Sequence, residues 1–405
     1  MCNKPQIMGW QRVVGLISGT SMDGVDAAVA DLRLRGGVVE MVPVRHRVTP
    51  YPGSLGADLR AALPPNVCTA ERLCRLDTEV GHAFAAAAVA AIGAGGADLV
   101  SSLGQTVFHW VEAGTCRGTL QLGQPAWIAE ATGLPVVADL RARDVAAGGH
   151  GAPLAVVLDR LLLADPDTTT AALNLGGIAN VTILAPGLPA LAFDTGPANA
   201  LLDAATRLRT GADRDTGGAL AARGSVRHDL LDVLLADPYY AAPPPKSTGK
   251  EHFHAHYLAD ALARVPDVGD ADLLATLVAL TATTVARVCR PHGVRRVLAS
   301  GGGVRNPVLM SALAAALAPA ELTTTDALGL PADAKEAYLA ALLGFLTWHG
   351  VPADPASGAD GPRLLGSITP GRFPARWPDP VAGPVRGLRI VDPVPEPAGG
   401  SRARP

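Results

Sequence analysis

Two runs of three β-rich segments, each closed by glycine turns, constrain this chain more than any other feature. Arg12 to Ser18, Val25 to Leu32 and Val38 to Val44 are strand-like and are separated by turns containing Gly19, Gly24, Gly36 and Gly37. Strand propensity on both sides of a short glycine turn predicts an antiparallel meander. The pattern returns at Thr170 to Leu175, Asn180 to Leu184 and Leu191 to Asp194, followed by a helix from about Pro197. A repeated meander points to two similar halves.

The intervening sequence is mostly helical. Helical stretches are expected near Ser54 to Leu63 and over Ala70 to Ile92, Ala271 to Cys289, Pro307 to Leu317 and Ala332 to His349. Shorter strands are expected at Ala97 to Leu103, which delivers Gly104-Gln105-Thr106, at Leu134 to Asp139, and at Arg296 to Ala299. A loop, Gly148-Gly149-His150-Gly151, precedes a helix beginning near Pro153. At 405 residues the chain exceeds one ordinary core, since domains run to roughly 150 residues. The expectation is therefore a two-lobed α/β protein. Its N-terminal lobe covers 1–135 and is completed by the helix of about 332–350; its second lobe covers 136–331. From Phe373 to Pro405 the chain is rich in proline, arginine and glycine without apolar periodicity, which reads as a loose, disordered tail without chemistry.

Composition removes several classes of function. Charged residues make up 18% of the chain, the net charge is -3, and no run of Lys or Arg is present, so neither nucleic acid nor an acidic membrane is an expected partner. The five cysteines, Cys2, Cys68, Cys74, Cys116 and Cys289, are scattered with no C-x-x-C pair, which fits a reducing cytoplasm rather than a disulfide framework or a zinc cluster. The first residues lack the basic flank and apolar run of a signal peptide, and Ala83 to Ala94 is too short to span a bilayer. A soluble protein is expected.

Three turns carry the chemistry. A glycine between strands lets backbone amides converge and lets a ligand approach without a Cβ in the way. Turn one, Gly19-Thr20-Ser21-Met22-Asp23-Gly24, leads into Val25 and Asp26 and offers two hydroxyls and a carboxylate for a phosphate and its magnesium ion. Turn two contains Gly176 and Gly177. Turn three, Gly301-Gly302-Gly303, follows a strand and leads into the helix at Pro307, whose amides and dipole would favour an anion. Any one of these alone reads as a plain hairpin. The P-loop and dinucleotide signatures both fail: Ser247-Thr248-Gly249-Lys250-Glu251 lacks the earlier glycine and the following Ser/Thr, and Gly301 to Asn306 lacks the third spaced glycine.

The order of the turns resembles the phosphate-1, phosphate-2 and adenosine segments of the actin, hexokinase and heat-shock ATPase superfamily. Within it, the chain is similar to the anhydro-N-acetylmuramic acid kinase family from about Val14 to Arg372. The similarity is carried by Gly15 to Asp26, Gly104-Gln105-Thr106, Ala138 to Arg141, Asp144 to Gly149, Gly151 to Leu154, Leu173 to Thr182, Phe193 to Pro197, Pro243 to Gly249 and Lys335-Glu336-Ala337. That resemblance implies a ribonuclease H-like duplicated fold and a homodimer. It implies a reaction of ATP, an anhydro-bridged N-acetylmuramic acid and water in cell-wall recycling, with Asp194 as the base that activates the water.

On the residues themselves, alternatives stay open. Asp194 can equally cap the helix from Pro197. Asp139, Arg141 and Asp144 can bind sugar hydroxyls or a lactyl carboxylate, or pair with one another; Arg141 suits a carboxylate best. Gln105, Thr106 and Glu336 are further candidates for the sugar, although a helical glutamate is by default an exposed charge. Asn174 stands where many superfamily members carry an acidic residue, which leaves Asp23 as the magnesium candidate. His109, His150, His252 and His254 show no metal spacing. Leu103, His150 and Ala198 depart from the family's usual His, Gln and Gly, and all three lie toward the expected sugar side. An ordinary N-acetylated amino-sugar kinase and a non-kinase actin-like ATPase are the rival functions.

Overall fold

A computed structural model describes residues 9–244, 246–249, 252–359, 361–372, 378, 381 and 383–393. Its strands are β1 (Gln11–Ser18), β2 (Gly24–Arg35), β3 (Val38–Pro50), β4 (Leu99–Glu112), β5 (Thr115–Leu122), β6 (Val136–Ala138), β7 (Thr170–Leu175), β8 (Ile178–Leu184), β9 (Leu191–Pro197), β10 (Arg296–Ser300), β11 (Glu321–Thr324), β12 (Ser367–Thr369) and β13 (Gly387–Ile390). They form two sheets. The first runs β12-β6-β4-β1-β2-β3-β13 with β5 paired to β4, and the second runs β11-β10-β7-β8-β9.

The repeat seen in the sequence is a repeat of topology. In each sheet a three-stranded antiparallel meander is extended by two strands parallel to its first, giving β3-β2-β1-β4-β6 in one and β9-β8-β7-β10-β11 in the other. This is a two-lobed α/β architecture of the actin-like, ribonuclease H-like kind. Each lobe brings the carboxyl ends of its parallel strands to one edge, where ligands of open α/β sheets bind.

The last helix, Lys335–Trp348, packs on the first sheet. It packs so closely on the sheet that a Cβ at Gly15 would lie 2.4 Å from the Ala341 nitrogen. Its Ala337, Tyr338 and Ala341 share one core with Val13, Ile17 and Leu99. The opposite face of the same sheet packs Val14 and Leu16 against the helix Ala70–Ile92. In the second lobe, Ala171, Leu173 and Leu175 of β7 face a core built around the helix Asp270–Cys289. That helix is long and apolar enough to cross a membrane by length and composition, and 72% of the stretch is buried inside the protein.

Three expectations need correction. A boundary at 135 would cut the first sheet, to which β6 belongs; the helix Ala155–Leu163 then packs Val157 and Leu158 into that lobe's core and Leu163 against Ala172 and Leu298 of the second sheet, so it lies between the two. The strand expected to end at Leu103 continues through Gly104-Gln105-Thr106 to Glu112 and turns back as β5, a hairpin with no strong glycine signal before Gly114. The tail is not uniformly loose, because Gly387–Ile390 pairs in parallel with β3 and buries Leu388. Residues 394–405 and most of 373–382 lie outside the described residues.

Candidate active site

Turn one is held open by side chains beneath it. Gln105, 1% exposed, accepts at Oε1 from the hydroxyls of Ser18 (2.7 Å) and Tyr51 (3.2 Å), and its Nε2 donates to the Gly19 carbonyl at 3.2 Å. Burial pushes the Tyr51 pKa up to about 12, so its hydroxyl stays a neutral donor. The Gly24 carbonyl lies equally close to Ser18 Oγ, at 2.7 Å, so the one hydroxyl proton is shared between that oxygen and Gln105. Met22 takes a left-handed conformation (φ 51°) that sinks its side chain into the core, leaving Thr20, Ser21 and Asp23 exposed. Ser21 Oγ donates to Asp23 Oδ1 at 2.7 Å, which fixes that carboxylate on the outer side of the turn. Val25 is buried, and Asp26 pairs with His46 at 3.0 Å.

The two glycines of this turn have different reasons. A Cβ at Gly24 would meet the Thr49 carbonyl oxygen at 2.4 Å, so Gly24 serves strand pairing. A Cβ at Gly19 would find no protein atom nearer than Ser21 Oγ at 3.9 Å. The space beside Gly19 is open to a ligand.

Turns two and three lie side by side, because β7 and β10 are parallel with Asn174 opposite Ser300. Gly301 makes this possible: its φ is +86°, and a Cβ there would lie 2.4 Å from Asn174 Oδ1. The carbonyls of turn two face the next helix, Asn199–Thr210. Gly176 accepts from the Asn199 amide (3.1 Å) and side chain (2.9 Å), and Gly177 accepts from Ala198 and Ala200, both at 2.9 Å. Backbone carbonyls of turn two thus cap that helix. The anion reading of the third turn is also corrected in part. The first amides of the helix Pro307–Leu317, those of Val308 and Leu309, are taken by Asn306 Oδ1 at 3.1 Å each. The open position in this turn is Gly302, where a Cβ would meet nothing closer than Arg305 Nη2 at 3.6 Å.

Asp194 sits on the face of the second sheet that carries Asn174 and Asn180. Directly opposed residues of antiparallel strands share a face, and the register sets Asn174 against Asn180 and Asn180 against Asp194. Phe193 and Leu173 point the other way, into the core. Segment 246–249 lies along β9: the Thr248 amide donates to Asp194 Oδ2 at 2.9 Å, and the Asp194 amide donates to the Lys246 carbonyl at 3.0 Å.

Asn174 and Asn180 line a cavity of about 180 Å³ that spans the two lobes, with Ile17, Leu103, Arg141, Asp159, Lys335 and Glu336 on its other sides. Arg141 donates to the Gly151 carbonyl at 2.9 Å. Burial pushes the Arg141 pKa down, and the negative charge of Glu336 opposes this. Desolvation beside the cavity pushes the carboxyl of the exposed Glu336 up, Arg141 and Lys335 pull it down, and Asp26 and Asp159 push it up again. Perturbed, opposed charges in a cleft mark a candidate functional site. Glu336 is an exposed residue of its helix, as a helical glutamate is by default, and it borders that cavity.

The model of the family described as anhydro-N-acetylmuramic acid kinase matches residues 11–371. The chain belongs to the anhydro-N-acetylmuramic acid kinase family. A relative of that name from Streptomyces coelicolor is 58% identical over 94% of this chain and 99% of its own length. One from Rhodococcus erythropolis is 51% identical over 89% and 94%, and one from Gloeobacter violaceus is 42% identical over 88% and 98%. Strand β13 lies beyond the family match.

Among the candidates in this family member, Arg141 and Glu336 come together with Asn174 and Asn180. Asp144 does not join them: it is fully buried, and its carboxylate accepts from Ser357 Oγ (2.6 Å), the Gly151 amide (2.8 Å) and Arg363 (2.9 Å). It fastens the 148–151 loop to the C-terminal segment and has no oxygen left for a sugar. Gln105 likewise braces turn one instead of meeting a substrate, and Thr106 Oγ1 accepts from Gln121 at 3.3 Å on the β4-β5 hairpin. Asp139, strained at φ +54°, lines a separate cavity of about 460 Å³ with Gly104 and Gln121, and receives the Ser367 hydroxyl at 3.1 Å. Leu103, one of the family departures, borders both cavities; Ala198 is buried at the helix cap and His150 is exposed. No cluster of metal-ligating side chains occurs among the described residues. Asn180 and Thr248 were the positions missed. Asn180 is detectable only once the strand register places it beside Asp194.

Proposed function

We propose that this protein is an ATP-dependent kinase that converts 1,6-anhydro-N-acetylmuramic acid and water into N-acetylmuramic acid 6-phosphate, with ADP as the second product. Water adds to the anomeric carbon and gives a proton to Asp194. The bond from that carbon to O6 breaks, and O6 takes the terminal phosphoryl group of ATP. The reading is supported most by Asp194, a carboxylate held by a backbone amide on the sheet face whose Asn174 and Asn180 line the interlobe cavity. Arg141 and Glu336, of opposite charge on the facing lobe, suit a sugar that carries both a carboxylate and hydroxyls.

The nucleotide is assigned to Gly19–Asp26, Gly176–Gly177 and Gly301–Gly303, with the open positions Gly19 and Gly302 beside its phosphates. Magnesium commonly reaches a protein through one or two carboxylates and takes its other ligands from phosphates and water. The single outward carboxylate of Asp23, steadied by Ser21, fits that demand and would hold the ion against the transferring phosphate. The family resemblance further suggests a cytoplasmic homodimer acting in peptidoglycan recycling.

Turnover in isotopically labelled water tests the reaction. The product is expected to gain the mass of a phosphoryl group plus water and to carry the label at the anomeric carbon. A gain of phosphoryl alone would identify a kinase for an ordinary N-acetylated amino sugar. Sugar-independent ATP hydrolysis would identify a non-kinase ATPase.

Gly19→Val checks the nucleotide assignment. The added side chain meets no protein atom at its root, so thermal stability is expected to hold while ATP binding weakens about tenfold or more, ~1.4 kcal/mol. An unchanged dissociation constant for ATP would remove turn one from the phosphate site.

A further inference from the structure

We propose that Lys246 is a positioning residue for Asp194, acting through the backbone of segment 246–249. The inference rests on the reading of Asp194 as the base and adds the device that aims it. Three residues form a closed hydrogen-bonded ring. The Asp194 amide donates to the Lys246 carbonyl at 3.0 Å. The Lys246 ammonium donates to the carbonyls of Tyr239 at 2.8 Å and Tyr240 at 3.2 Å. The Tyr239 hydroxyl returns to the Asp194 carbonyl at 2.7 Å.

Every side of this ring is rigid. Tyr239 and Tyr240 lie in the short helix Pro238–Ala241, whose start is capped by Asp237. Tyr240 packs onto β9 where the chain has no side chain: a Cβ at Gly196 would lie 2.9 Å from its ring. Tyr239 meets Phe253 edge-on at 5.7 Å, and Tyr240 stacks on the same ring at 6.0 Å. The far end of the segment is tied separately, since the Gly249 carbonyl accepts from His252 at 3.2 Å and Phe253 at 3.1 Å. Lys246 is the one charged link. Its ammonium lies 4.5 Å over the Tyr239 ring, and burial pushes its pKa down, the mark of a cation taken partly out of water.

The ring has a consequence at the carboxylate. Two residues beyond Lys246, the Thr248 amide donates to Asp194 Oδ2, so the placement of that donor depends on where the ammonium pins the segment. A carboxylate that must take a proton from a bound water needs one oxygen held and the geometry fixed. Misplacement of about 1 Å costs on the order of 10²-fold in rate. Neither Lys246 nor Tyr239 touches the substrate in this arrangement; both act through Asp194.

The test compares Lys246→Met, Lys246→Arg and Asp194→Asn in the full-length enzyme. Lys246→Met keeps the aliphatic stem and removes the ammonium. It is expected to lower kcat about 10²-fold, with the KM for ATP and the melting temperature close to wild type. Lys246→Arg restores donors to the two carbonyls and is expected to regain most of the loss. A wild-type kcat in Lys246→Met overturns the proposal, as does a loss that tracks melting temperature and is not rescued by arginine. Should Lys246→Met fold poorly, Tyr239→Phe opens the same ring by one oxygen and is expected to lower kcat with the KM for ATP unchanged; a wild-type kcat there counts equally against it. Asp194→Asn separates the two claims. If it retains turnover, the assignment of the base fails; if it is inactive while Lys246→Met is fully active, only the positioning role fails.

Discussion

Asp194→Asn is expected to lower turnover by roughly 10²–10⁴-fold, the usual contribution of a positioned general base, with ATP affinity nearly unchanged. Asparagine has the same shape, and its amide oxygen can still accept from the Thr248 amide, so that contact is kept. What disappears is the capacity to take a proton from water. The phosphate turns are anchored elsewhere: turn one by Gln105, Ser18 and Tyr51, and turn two by the amides of the helix Asn199–Thr210. Steady-state turnover and a direct ATP-binding titration on the same preparation make the comparison. Turnover within a few-fold of wild type would move the base to another group.

The fold was legible because its signals are local. Glycine turns between β-rich segments gave both meanders, and the helices Ala70–Ile92 and Pro307–Leu317 agree with their sequence periodicity to the residue. The β4-β5 hairpin was not legible. Gly104-Gln105-Thr106 reads as the end of a strand, yet Gln105 is buried and its hydrogen bonds to turn one hold the strand on course. Strand β13 was missed for a related reason: four residues in a proline-rich tail carry no periodicity, and only the free edge of β3 gives them a partner.

The site divides along the same line. Asp194, Arg141 and Glu336, the residues of the proposed site, are candidates that the sequence itself offers. Asp144 was misread because a carboxylate in a glycine-rich loop looks available until Ser357 and Arg363, more than two hundred residues away, are found to occupy it. Asn180 and Lys246 act through register and through a loop folded back on β9. Neither relation leaves a local trace.

Lys335→Met is expected to destabilise the protein by about 3–5 kcal/mol, the cost of leaving a buried charge without its partner. Lys335 opens the helix Lys335–Trp348 and pairs with Asp159 of the helix Ala155–Leu163, with side chains only 8% and 4% exposed. Both residues line the cavity between the lobes, so the pair ties the helix Lys335–Trp348 to the helix Ala155–Leu163 at the cleft. Removing both charges has a different sign. In the double variant Asp159→Leu/Lys335→Met no ion remains to be desolvated, and most of the lost stability is expected to return, seen as recovery of the urea midpoint. Additive losses in the double variant would show that the two charges do not act as a pair. If stability returns and activity does not, the ion pair is there for the cleft. Asp159 and Lys335 press the Glu336 carboxyl in opposite directions, and an apolar pair in their place would leave its charge to Arg141 and Asp26.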